Sequence, residues 1–71
     1  AEQRQLKKDL TRVERQVAKG KERLAELLKE QEAESFNPER LIAIAAEVEK
    51  VQSELQSREE EWLEITLALE S

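Results

Sequence analysis

Leu41, Ile44, Val48, Val51, Leu55, Arg58, Trp62, Ile65 and Leu69 follow one another at spacings of three and four residues in strict alternation, with Arg58 the one charged member. An apolar row with this period lies along one side of a helix as a narrow seam, and a seam in water needs a partner. The first third of the chain supplies one: Leu6, Leu10, Val13, Val17, Gly20, Leu24 and Leu27, again spaced by threes and fours. Between the rows stands Ser35-Phe36-Asn37-Pro38, a break in both periodicity and helix propensity. The pattern predicts an all-α fold, a two-helix antiparallel coiled-coil hairpin, with a helix over 2–33, a turn over 34–37 and a helix over 38–69.

The turn has a sequence mechanism. Asn37 is a good N-cap, and Pro38 suits the first helical position, where no backbone donor is needed. Proline also steers the residue before it out of the helical region, as a cap requires. Phe36 and Leu41 then stand at N′ and N4, the positions of a hydrophobic staple, so Phe36 is expected to close the end of the seam; a recognition role at the tip is the lesser alternative.

Two antiparallel registers compete. One pairs Leu6 with Leu69, Leu10 with Ile65, Val13 with Trp62, Val17 with Arg58, Gly20 with Leu55, Leu24 with Val51 and Leu27 with Val48. The other slides by a heptad, sets Gly20 against Val48 and leaves Leu69 without a partner. The first is preferred because it uses both seams to their ends and gives Gly20 a large neighbour. Glycine inside a helix costs about 1 kcal/mol relative to alanine, so Gly20 is read as room for that neighbour, or else as a flex point. Trp62 is expected in the core with its N–H reaching an edge, stacking on a base being the alternative. Arg58 is expected to snorkel toward Glu14 or Glu54.

Seventy-one residues make one small unit, and chains this short gain little net stability from a single core. The modest core and the missing start Met lead to the expectation of a piece of a larger protein. Charged residues are 41% of the chain and aromatics 3%, a composition that would fit disorder were it not for the sustained heptads. Without Cys or His, disulfides, thiolate chemistry, ordinary zinc sites and the commonest general base are excluded. Glu59, Glu60 and Glu61 are consecutive on a helix and point in different directions, so they read as a solvated acidic run rather than an acid/base pair. One glycine in total rules out a glycine-rich phosphate loop. No enzyme activity, metal or cofactor is expected of this domain. No apolar run approaches the ~20 residues of a membrane span and no signal peptide is visible, so the cytoplasm is the default compartment.

The charge is unevenly placed. Residues 1–30 carry nine Lys/Arg against six Asp/Glu, and residues 31–71 carry three against eleven. Within the basic part, Arg4, Lys8, Arg12, Arg15 and Lys19 recur at heptad positions b, c and f, the side turned away from the second helix. They are therefore not expected to form interhelical pairs, whereas Lys7 and Lys21, nearer the seam, are. A one-sided row of cations is either a solubilising surface or an electrostatic track for a phosphate backbone. These five residues are the candidate nucleic-acid contacts, and no sequence-specific readout is expected, for want of a cluster shaped to base edges.

Leu6 through Leu27, then Glu34-Ser35-Phe36-Asn37-Pro38-Glu39-Arg40-Leu41, then Glu60-Glu61-Trp62-Leu63-Glu64 together resemble the C-terminal domain of ABC-F ATPases of the Uup type, which follows the second ATP-binding cassette. The resemblance spans nearly the whole chain, its distinctive parts being the turn and the Trp62 segment; Asn37 stands where members often carry Tyr. It implies a cytoplasmic protein whose cassettes bind ATP and act on ribosomes in translation. In such a protein this domain would be a non-catalytic arm, a monomeric hairpin whose Arg4, Lys8, Arg12, Arg15 and Lys19 contact DNA or ribosomal RNA. The competing expectation is a purely structural or protein–protein interaction coiled coil.

Overall fold

A computed structural model describes residues 2–71, and among them two helices form: α1, Glu2–Ala33, and α2, Pro38–Glu70. They run antiparallel as a rod of 54 × 14 × 13 Å. α2 extends one residue past the predicted end, where the Ser71 N–H donates to the Leu67 carbonyl at 3.2 Å and the Ser71 hydroxyl to the Ala68 carbonyl at 3.1 Å. These bonds satisfy two of the carbonyls that any helix C-terminus leaves without a donor.

The turn forms by the predicted mechanism. Asn37 is extended, with φ −116° and ψ 96°, and its side-chain oxygen accepts the Arg40 N–H at 3.3 Å. Its carbonyl accepts the Leu41 N–H at 3.0 Å, and its own N–H donates to the Glu34 carbonyl at 2.9 Å. Pro38 occupies the first turn of α2. The staple does not form, however: Phe36 is 98% exposed. The short link that the Asn37–Glu34 bond closes leaves Phe36 outside the bend, where no neighbour covers its ring.

The core is a single row of interlocked side chains. Val13, Leu27, Ile44, Val51, Leu55 and Ile65 are buried, with Val17, Leu24 and Val48 packed partly against them. Gly20 identifies the register. A Cβ built on it would meet Leu55 Cδ2 at 2.8 Å and Leu55 Cγ at 3.0 Å, so Gly20 lies against Leu55 and the alternative pairing with Val48 is excluded. Its role is close approach, since the Leu55 side chain fills the space a methyl group would need.

Trp62 departs from expectation. It sits at its seam position but remains 39% exposed. A two-helix layer has no third element to cover the outer side of an indole, so the ring overflows to one edge. The groove at that edge is lined by Glu14, Val17, Lys21, Gln56, Glu59, Glu60, Trp62 and Leu63.

Candidate nucleic-acid interface

The five candidate contacts all lie on α1, and each is exposed. Their spacing of three or four residues keeps them on one side of a straight helix. From Arg4 to Lys19 the row rises about 22 Å at 1.5 Å per residue, the length occupied by roughly six phosphates of one strand of duplex DNA. Arg4 and Lys8 share a shallow groove with Gln3, Lys7 and Thr11. The Thr11 hydroxyl there donates back to the Lys7 carbonyl at 3.1 Å, which keeps the threonine side chain against its own helix. Lys19 opens onto a second groove with Gln16, Gly20, Arg23, Glu54 and Arg58 along its walls.

Arg12 corrects the sequence reading. Its Nη2 donates to Glu61 Oε1 across the hairpin at 2.8 Å, and its Nη1 donates to Gln16 Oε1 at 3.2 Å. It is thus an interhelical pair after all. Position c leans toward the partner helix at its edge, and an arginine is long enough to reach over. Arg58 is corrected as well. Its Nη1 donates to Glu61 Oε2 at 3.3 Å, one turn along its own helix, and not to Glu14 or Glu54. Glu61 therefore holds two guanidinium groups, one from each helix.

The electrostatics follow from that geometry. The hydrogen bond from Arg12 is the largest influence on the Glu61 carboxyl; desolvation opposes it, and with the charge of Arg12 and the contributions of Arg58 the balance holds the group below the usual glutamate range. Glu61 in turn raises Arg12. Side chains of both residues keep substantial contact with water, so the pair is a screened surface interaction rather than a buried one.

Arg12 is consequently committed to Glu61 in the hairpin, while Arg4, Lys8, Arg15 and Lys19 are in none of the ion pairs formed among the described residues. Lys7 and Lys21 are not in these pairs either, contrary to expectation. Lys7 belongs beside Arg4 and Lys8 instead, a placement that a pure heptad label hides because position e lies at the rim of the seam. Among the described residues no group of three or more His, Cys, Asp or Glu could hold a metal ion. Among the described residues no helix is long and apolar enough to cross a membrane. Comparison with protein families, curated proteins and solved structures gives no match for this chain.

Proposed function

We propose that this hairpin is a non-catalytic arm that binds nucleic acid, DNA or ribosomal RNA, through the outer side of α1, as part of a cytoplasmic ABC-F type ATP-binding protein acting in translation. The observation that supports it is the exposed row Arg4, Lys8, Arg15 and Lys19, joined by Lys7 at its start. These side chains can lie along a phosphate backbone without first breaking an ion pair, whereas Arg12 has to leave Glu61 to join them. Backbone contacts of this kind position a protein without reading sequence, so weak sequence preference is expected. ATP belongs, in this reading, to the cassettes of the parent protein.

The net charge of −5 opposes long-range attraction to a polyanion. Binding is therefore confined to the α1 side and favoured by low salt. Replacing Lys8, Arg15 and Lys19 together with glutamate should abolish retardation of duplex DNA and of ribosomal RNA fragments in low-salt gels. The same variant should keep the helical circular-dichroism spectrum of the parent. Unchanged retardation would refute the assignment.

A second reading, a structural or protein-interaction coiled coil, is favoured by Leu28, Ile42 and Leu63, large apolar side chains that the hairpin leaves in water. It predicts no retardation at any salt concentration.

A further inference from the structure

Of the three ion pairs formed among the described residues, two lie within a single helix and one crosses between the helices: Arg12 on α1 to Glu61 on α2, at 2.8 Å. That one crossing pair falls in the middle of the basic row. With Arg12 held by Glu61, the strip divides into Arg4, Lys7 and Lys8 at one end and Arg15 and Lys19 at the other. The helix rises about 10.5 Å from Lys8 to Arg15. The cation that would bridge this gap is turned toward a carboxylate of its own chain.

Both ends of the Arg12 guanidinium are engaged. Nη2 donates to Glu61 Oε1, and Nη1 donates to Gln16 Oε1 at 3.2 Å. Arginine meets phosphate best with two parallel N–H donors, so a phosphate here competes with acceptors already in place. Glu61, by contrast, does not depend on Arg12 alone. Arg58 Nη1 donates to Glu61 Oε2 at 3.3 Å, and it stays with the carboxylate when Arg12 leaves. The Arg12 and Glu61 side chains are 48% and 33% exposed, so the pair is within reach of a ligand and of solvent ions.

We infer that Glu61 is an intramolecular competitor of phosphate, an autoinhibitory contact that keeps Arg12 out of the nucleic-acid strip and so limits its affinity. The inference rests on the function proposed above and adds to it a negative determinant on the opposite helix. Belonging to the same chain, the Glu61 carboxylate stands beside Arg12 at a fixed, high effective concentration. A phosphate oxygen reaches the same guanidinium only after the nucleic acid has bound. Removing the charge of Glu61 withdraws the competitor, joins the two halves of the strip and adds one phosphate contact.

Binding to duplex DNA across a range of salt concentrations tests the inference on four proteins: wild type, Glu61→Gln, Arg12→Gln and the double variant. Wild type should show a slope of log Kobs against log salt of about −4.5, from five contacts at 0.9 each. Glu61→Gln should steepen it to about −5.4 and bind roughly tenfold more tightly at about 50 mM salt, through one further counterion-releasing contact. Arg12→Gln should keep the wild-type slope. The double variant should return to about −4.5, because the gain requires Arg12; loss of one negative charge from the surface would act with or without it. Glu61→Ala, which carries the best helix former, gives the same readout should Glu61→Gln lose the helical circular-dichroism spectrum. A wild-type slope in Glu61→Gln, a gain that survives in the double variant, or a flatter slope in Arg12→Gln would overturn the autoinhibitory contact while leaving binding by the strip intact. No binding by any of the four would overturn the nucleic-acid reading itself, and this contact's role with it.

Discussion

Gly20 and Glu61 are the two residues whose replacement separates competing physical effects. At Gly20 an alanine would gain about 1 kcal/mol of helix propensity. It would also drive a methyl group to 2.8 Å from Leu55 Cδ2 and 3.0 Å from Leu55 Cγ. Because the branch carbon is involved as well as a terminal methyl, rotation about the end of the leucine does not clear the clash. Overpacking costs typically 1–3 kcal/mol and outweighs the gain. Gly20→Ala should lower the thermal midpoint, with a net loss of about 1 kcal/mol. Combining it with Leu55→Ala should be less costly than the sum of the single changes, because the two side chains contend for one space. A higher midpoint for Gly20→Ala alone would mean that the helices are not in close contact here. At Glu61 the sign is set by the depressed carboxyl. A group whose pKa falls on folding contributes stability that is present above its unfolded value, about 4.3 for Glu, and lost as pH drops through its folded value. Glu61→Gln should therefore be less stable than wild type at pH 7, and the gap between their melting temperatures should close as pH falls below about 4.3. A gap that is constant with pH would show that the carboxylate's charge contributes nothing.

The helices and the turn were legible in the sequence because each rests on a local rule. Seam spacing needs only the 3.6-residue period, and Asn37-Pro38 needs only backbone chemistry. What was not legible depends on what surrounds a side chain in three dimensions. The staple pattern at Phe36 and Leu41 is present, but the short turn carries Phe36 outside the bend. Trp62 has a core address and still meets water, because two helices cannot enclose an indole. Arg12 has an outward heptad label, yet its reach brings it to Glu61. The basic row was legible as a pattern, but which of its members are already paired was not. At this scale the register is the claim to check. Since the chain has no native cysteine, Leu6→Cys with Leu69→Cys should close an intrachain disulfide readily. Leu6→Cys with Trp62→Cys should not. The reverse outcome would indicate a slip of one heptad and remove Gly20 from Leu55.

Over the whole molecule, the fold sorts charge by side. The helix with nine cations turns Arg4, Lys8, Arg15 and Lys19 outward, while eleven of the seventeen acidic residues fall in residues 31–71. A molecule of net charge −5 can thus present one cationic strip and remain repulsive to polyanions elsewhere. The claim that this strip lies along phosphates is tested most directly by the salt dependence of binding to duplex DNA. Five neutralised phosphates, one each for Arg4, Lys7, Lys8, Arg15 and Lys19, predict a slope of log Kobs against log salt of about −4.5, at 0.9 per phosphate. Each cation removed by substitution to glutamine should reduce the slope by about 0.9. A slope near zero, or one unmoved by those substitutions, would contradict the account.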